Sequence, residues 1–151
     1  MKKYYLEDHV VGASVDCGSM DVTAEGIIAF AKTWDPQPWH VDEAAAEASI
    51  FGGLTACSAH IFSMYCITSP QWQNGAVQQA IASLGFDEMR MLKPVYAGDT
   101  LRCVTTFDTV RPSKSSPERG IVIYASELYN QRNEAVFSVK CSTLMARDPG
   151  R

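Results

Sequence analysis

Apolar residues in the first third of the chain recur at helical spacing. In TAEGIIAFAKTW, residues 23–34, Ile27 and Ala31 fall on one face of a helix. Thr23 stands at the amino end, and Asp35 follows the last turn. Threonine is a good N-cap, and the prolines beyond Asp35 disfavour further helix. We predict a helix over 23–34.

Two further helices are predicted before residue 70. The stretch DEAAAEAS, residues 42–49, is rich in alanine, the best helix former. The pair Gly52 and Gly53 then precedes LTACSAHIFSMYCITS, residues 54–69, in which nearly every position is apolar or small. A helix that is apolar on all sides is normally buried, so we expect 54–69 to form a long central helix.

The sequence of the second half of the chain is typical of strands separated by turns. Connectors such as YAGDT and RPSKSSPERG carry turn-forming residues. The predicted strands cover residues 81–92, 100–110, 120–130 and 134–146, and a further strand covers 13–22. A long helix followed by a meandering antiparallel sheet predicts an α+β fold in which the sheet wraps the helix.

Composition narrows the class of protein. The 151 residues fit one domain, expected to span 1–151, and 46% of them are hydrophobic. The net charge of −4 without a clustered basic face disfavours nucleic acid as a partner. No apolar run reaches the roughly eighteen residues of a membrane span. Five scattered cysteines without C-x-x-C spacing favour reduced thiols, so a cytoplasmic location is expected.

The stretch WDPQPWHVD, residues 34–42, concentrates candidate chemistry. Asp35 and His40 supply a carboxylate and an imidazole, which suit general acid–base catalysis. Pro36 and Pro38 bias the residues before them toward extended backbone, so we expect a stiff, exposed arm. From these residues alone, a catalytic pair and a helix terminator beside a surface histidine both remain open.

These residues resemble the MaoC-like dehydratases, relatives of the R-specific enoyl-CoA hydratases with the hot-dog fold. The family motif D-x-N-P-x-H is similar to residues 35–40, with Gln37 in place of Asn. YYLEDHVVG, FGGL, LKPVYAGDTLR and VRPSKS also look like this family, so the resemblance covers most of the chain. It implies a long buried helix wrapped by about five mainly antiparallel strands.

The resemblance implies that the protein adds water to a trans-2-enoyl-CoA or removes it from a 3-hydroxyacyl-CoA. One water would lie between Asp35, the base, and His40, which would orient it and share in proton delivery to the α-carbon. A backbone N–H at Ser58, where relatives carry glycine, would bind the thioester oxygen. Gln37 would brace the segment beside the substrate. The substrate is an acyl-CoA or acyl-carrier thioester, and no separate cofactor is expected.

Two further sites can be weighed from the sequence. Arg111 and Lys114 in RPSKSSPERG are assigned to the phosphates of a pantetheine arm, although such loop charges are usually only solvated. A metal site of Asp35, His40 and Asp42 is disfavoured because Asp42 suits the N-cap of the alanine-rich helix. No metal is therefore expected.

Other candidate residues are expected to be structural. His60 is expected to be a hydrogen-bonded core residue. Trp34 and Trp39 are expected to pack at the helix end and to anchor the arm. Cys66 is expected to be a small core residue, like Cys57.

Two other functions remain open. A hot-dog thioesterase would hydrolyse the acyl thioester, and a non-catalytic module would only bind it. The resemblance also implies a homodimer or larger assembly with acyl pockets at the subunit boundary, because the long helix is only partly buried within one subunit.

Overall fold

The computed structural model describes residues 2–71 and 76–151. Within these ranges the helices are α1 Ala24–Trp34, α2 Pro38–Val41, α3 Glu43–Glu47 and α4 Ser58–Thr68. The strands are β1 Lys3–Tyr4, β2 Ser14–Asp21, β3 Val77–Gln78, β4 Ala80–Met91, β5 Thr100–Pro112, β6 Arg119–Tyr129 and β7 Ala135–Ala146. Across the described ranges, none of the helices combines the length and apolar character that a membrane span requires.

Five strands form one antiparallel sheet in the order β2-β5-β6-β7-β4. Each corresponds to a predicted strand to within two residues at either end. The short strands β1 and β3 pair in parallel beside this sheet. The predicted α+β fold with a central helix and a five-stranded sheet is confirmed.

The core lies between α4 and the sheet. Buried residues alternate along β5, among them Leu101 and Phe107, and they share one hydrophobic cluster with Ile61 and Tyr65 of α4. The rings of Tyr65 and Phe137 lie 5.6 Å apart. Each fully buried large apolar side chain contributes about 1.5–3 kcal/mol, so this layer holds α4 against the sheet.

The outward side of α4 is open in the single chain. Ile67 is 58% exposed, and Cys66 is exposed as well, so the expectation that Cys66 is a core residue is wrong. The edge strand β4 continues this apolar surface with Ile81 and Leu84, which are 53% and 54% exposed. The central helix is therefore buried on one side only.

The central helix begins four residues later than its composition suggests. Leu54 and Ala56 are extended, because Ala56 N–H donates to the Val95 carbonyl at 2.9 Å and Ala97 N–H donates to the Leu54 carbonyl at 3.0 Å. Gly52, at a φ of +66°, makes the turn that leads into this segment. The carboxyl end of α4 agrees with the prediction to within one residue.

Side-chain caps start α1 and α3, as the sequence predicts. Gly26 N–H donates to Thr23 Oγ1 at 3.0 Å, and Ala45 N–H donates to Asp42 Oδ1 at 2.7 Å. The expected packing of Trp34 is wrong: this last residue of α1 is 71% exposed.

The expected extended arm ends at Gln37. Gln37 is extended, with φ −70° and ψ 142°, but Pro38 opens the single helical turn α2. Proline suits the first position of a helix because its missing N–H would have no partner there and its φ is already helical. The turn draws His40 inward to 8% exposure, so an exposed arm is a wrong description of this residue.

Candidate active site

Asp35 is placed by the end of α1. Its backbone N–H donates to the Ala31 carbonyl at 2.9 Å, and its carbonyl accepts from Gln37 N–H at 2.8 Å. Its side chain is 39% exposed. The carboxylate therefore stands at a fixed helix terminus with access to solvent.

His40 is fixed by a backbone carbonyl from a later segment of the chain. Its Nδ1 donates to the Thr55 carbonyl at 2.6 Å. A carbonyl oxygen only accepts, so this bond assigns the ring proton of the neutral imidazole to Nδ1 and leaves the lone pair on Nε2. Thr55 is held in turn by the extended segment that pairs with Tyr96.

Two groups face His40 Nε2. Asp35 Oδ2 lies 4.0 Å away, and the Trp39 indole N–H donates to Nε2 at 3.1 Å. The distance to Asp35 is too long for a direct hydrogen bond, but one water can contact both atoms. Asp35 and His40 can therefore act on the same water molecule.

A cavity of about 330 Å³ contains the pair. Its lining combines polar groups with apolar side chains, including Ile61, Met91 and Leu92. The complete lining is Asp35, Trp39, His40, Phe51, Thr55, Ala56, Cys57, Ser58, Ile61, Met91, Leu92, Lys93 and Pro94. A site with a few polar groups on an apolar wall is typical for a small organic ligand.

The amino terminus of α4 opens into this cavity at Ser58. The first backbone bond within α4 runs from Ile61 N–H to the Cys57 carbonyl at 3.0 Å, and Cys57 gives no side-chain cap. The N–H groups of the first turn are thus directed away from the helix body, with the positive end of the helix dipole. They can stabilise an oxyanion.

A positive charge lies at the cavity rim. Lys93 Nζ donates to Glu134 Oε1 at 2.8 Å. Hydrogen bonds from Asn130 and Lys93 lower the pKa of Glu134 to about 2. Glu134 is therefore ionised at neutral pH and holds the Lys93 ammonium in place.

The structure brings some predicted site residues together and separates others. Asp35, His40 and Ser58 line one cavity. Gln37 lies beside it with an exposed side chain, and its carbonyl accepts from His40 N–H at 2.9 Å, so it braces the turn through its backbone. Arg111, near the end of β5, and Lys114, on the β5–β6 connection, are exposed and are not part of the cavity lining.

His60 differs from its expected role. Its Nδ1 is buried without a hydrogen-bond partner, and its ring stacks on Phe30 with centroids 4.4 Å apart. Burial lowers the pKa of His60, so the ring stays neutral near pH 7. The expectation of a hydrogen-bonded core histidine is wrong because the flat face of Phe30 replaces a polar partner.

The residues weighed as metal ligands have other partners. Asp42 caps α3, and His40 donates to Thr55. Within residues 2–71 and 76–151, no cluster of three or more His, Cys, Asp or Glu side chains is arranged to bind a metal ion.

A larger cavity of about 600 Å³ lies beyond the carboxyl half of α4, against the sheet. Tyr65 and Phe86 contribute to its mostly apolar wall. Neither Asp35 nor His40 borders it, so both predicted site residues belong to the smaller cavity.

Several contacts at the site were not foreseen from the sequence. The contacts of the Thr55 carbonyl and of the Lys93 ammonium depend on distant segments meeting, whereas the Trp39 indole N–H contacts the next residue of the chain. Only Trp39 had a local signal, because an indole beside a histidine can reach its ring. Backbone carbonyls such as that of Thr55 leave no signature in residue type.

Comparison with known proteins assigns the family. The model described as the MaoC like domain matches residues 8–124, which is more than half of the chain. The chain belongs to the MaoC-like dehydratase family. The resemblance noted from the sequence is confirmed, and the hot-dog fold follows for the α+β structure.

Two proteins are similar to this chain over nearly its whole length. The crystal structure of a MaoC-like dehydratase from Rhodospirillum rubrum is 37% identical, with a TM-score of 0.88, over 97% of this chain and 99% of that chain. The uncharacterized protein YdeM of Bacillus subtilis is 29% identical over 94% of this chain and 99% of its own length.

A shorter similarity links the chain to an enzyme with a stated reaction. Mesaconyl-CoA hydratase of Cereibacter sphaeroides is 42% identical over 59 residues. This match covers 39% of this chain and 17% of that protein. It adds a hydratase to the relatives of this MaoC-like protein.

Proposed function

We propose that this MaoC-like protein is a hydratase or dehydratase of acyl thioesters. In this role it adds water to a trans-2-enoyl-CoA, or removes water from a 3-hydroxyacyl-CoA. The observation that carries the proposal is the placement of Asp35 Oδ2 4.0 Å from His40 Nε2, in the same cavity as the open amino terminus of α4. Similarity to a mesaconyl-CoA hydratase supports the reaction class.

The pair acts on one water molecule. Asp35 accepts a proton from the water as the water oxygen bonds to the β-carbon of the enoyl group. The electron pair of the double bond moves toward the thioester, whose oxygen becomes negatively charged. The proton taken up by Asp35 then passes to His40 Nε2 and from Nε2 to the α-carbon, which restores the Asp35 carboxylate and the neutral imidazole and gives the 3-hydroxyacyl thioester.

The developing oxyanion is stabilised at the start of α4. Ser58 lines the cavity at the positive end of the helix dipole, and in this proposal its N–H donates a hydrogen bond to the thioester oxygen. A donor of this kind typically contributes about 2.7–4 kcal/mol to lowering the barrier. Because the donor is a backbone group, a serine side chain at this position does not remove it.

The remaining parts of the substrate fit the surroundings of the pair. Met91 and Leu92 offer an apolar wall for the acyl chain, and Lys93 offers a positive charge at the rim. Arg111 and Lys114 are proposed to contact the phosphates of the pantetheine arm. They lie outside the cavity, so this contact is made by the distal part of CoA or by an acyl carrier.

The proposal also covers the oligomeric state of the protein and its location in the cell. The open side of α4 and the edge strand β4 support a homodimer or larger assembly, because unpaired apolar strands favour association. All five cysteines are free, and four of them are buried, which supports a reducing compartment such as the cytoplasm.

A panel of trans-2-enoyl-CoA thioesters of increasing length tests the reaction. Absorbance of the conjugated enoyl group and release of free thiol are followed together. A hydratase lowers the absorbance without releasing thiol. Thiol release would identify a thioesterase, and tight binding without turnover would identify a binding module; either result contradicts the proposal.

Substitutions test the assigned pair. We expect Asp35→Asn and His40→Ala each to lower kcat by about 10² or more, the usual contribution of a general acid or base. Asp42→Asn is the matched control, since it also removes a carboxylate close to His40 but lies outside the cavity lining. Hydration at nearly wild-type rates by Asp35→Asn or His40→Ala would refute the assignment.

A further inference from the structure

The indole of Trp39 makes a contact that the proposed reaction does not require. Its Nε1–H donates to His40 Nε2 at 3.1 Å, and its half-buried ring packs against the hydrophobic core. An indole N–H can donate but never accept. The bond therefore exists only while His40 Nε2 keeps its lone pair.

The two hydrogen bonds of His40 act together on its protonation. Thr55 accepts from Nδ1 at 2.6 Å, which places one proton there, and Trp39 requires that Nε2 carry none. Both contacts are satisfied only by the neutral ring. If Nε2 binds a proton, it becomes a donor facing the Trp39 donor, and that hydrogen bond is lost.

We propose that Trp39 is a positioning residue that keeps His40 neutral in the resting protein and promotes the release of a proton from Nε2. The catalytic part of this inference rests on the proposed hydratase function. When Nε2 takes up a proton during turnover, the indole loses its acceptor. Transfer of that proton to the α-carbon restores the bond, so Trp39 favours completion of the reaction.

Other groups around His40 also influence whether its ring is neutral or charged. The Asp35 carboxylate at 4.0 Å attracts a charged imidazole and so opposes Trp39. Cys57 lines the same cavity, and Lys93 is paired with Glu134 at the rim. Of these groups, Asp35 is the one that favours the charged ring at short range.

The direct test compares two tryptophan variants by NMR. Trp39→Phe keeps an aromatic ring in place and removes the N–H, whereas Trp34→Phe makes the same change at a residue that is 71% exposed. Long-range ¹H–¹⁵N spectra of the histidine side chains report which ring nitrogen carries the proton. The His40 signals are assigned by their absence in His40→Gln.

We expect the wild-type spectra at neutral pH to show His40 protonated at Nδ1 only. In Trp39→Phe at the same pH, the ratio of rings protonated on Nε2 to neutral rings is expected to rise about two- to tenfold, the effect of one ordinary hydrogen bond. Trp34→Phe is expected to give the wild-type pattern. A wild-type pattern in Trp39→Phe, or a proton on Nε2 in the wild-type protein, would overturn the proposal.

The kinetic test separates this inference from the proposed function. We expect Trp39→Phe to lower kcat about two- to tenfold with little change in KM, and the loss to vary with pH. An equal loss at every pH would contradict the positioning role. The NMR measurement needs no turnover, so absence of hydratase activity would remove the proposed function without deciding the role of Trp39.

Discussion

His40 is buried and His60 is half-buried, and their ring nitrogens have different partners. The nitrogens of His40 contact Thr55 and Trp39, while His60 Nδ1 is buried without a partner and its ring lies flat on Phe30. A buried nitrogen without a partner disfavours the charged ring. His60 is thus a structural residue whose protonation state matters for stability.

The pH dependence of stability follows from His60. Burial lowers its pKa in the folded state below the ordinary value of 6.5, so the unfolded chain binds a proton first as the pH falls. Stability is therefore expected to decrease as the pH falls below about 6.5. His60→Phe, which can still stack on Phe30, should lose less stability between pH 7.5 and 5.5.

Urea unfolding at both pH values measures this effect. Burial also lowers the pKa of His9, so part of the dependence should remain in the variant. An identical loss of stability in the wild-type protein and in His60→Phe would show that His60 does not contribute.

At the scale of elements, the two short helices α2 and α3 determine where His40 lies. Asp42 ends α2 and caps α3 through the bond from Ala45 N–H at 2.7 Å. We expect Asp42→Ala to lower the free energy of unfolding by about 0.5–2 kcal/mol, and Asp42→Asn, which can still cap, to lower it much less. Chemical denaturation measures both, and equal losses in the two variants would contradict the capping role.

Elements with local signals were predicted from the sequence, and those set by distant contacts were not. Thr23 and Asp42 mark the starts of α1 and α3 because a cap acts within three residues. The start of α4 at Ser58 was missed because residues 54–56 are held by backbone bonds to Val95 and Ala97. Nothing in the local composition reports that pairing.

In the candidate site, too, features with a local sequence signal were predicted and others were not. Residue type and a proline-stiffened spacing made Asp35 and His40 candidates, and the family resemblance favoured them as a catalytic pair. The structure places Asp35 Oδ2 4.0 Å from His40 Nε2. The turn α2 was missed because the bias toward extended backbone applies to the residue before each proline and leaves Pro38 itself free to start a helix. That turn is what buries His40.

At the scale of the whole molecule, the open edge of the sheet predicts self-association. Leu84 is 54% exposed on β4, so a charge there should not disturb the fold of one chain. We expect the wild-type protein to be a dimer or larger in light scattering, and Leu84→Glu to shift it toward monomer. Val10→Glu, at a residue that is 64% exposed outside β4, is the control.

The comparison of Leu84→Glu with Val10→Glu tests whether the subunits pair through β4. A wild-type monomer, or a Leu84→Glu variant that associates like Val10→Glu, would exclude pairing through β4. Far-UV circular dichroism of each variant confirms that the fold is kept.

The edge strand also reaches the candidate site, since β4 ends at Met91, which lines the cavity together with Leu92. A ligand in the cavity and a second subunit on β4 would then contact the same strand. Coupling between two binding equilibria is reciprocal. A substrate that raises the affinity between the subunits must therefore bind to the dimer more tightly than to the monomer, by the same factor. Apparent substrate affinity would consequently change with protein concentration.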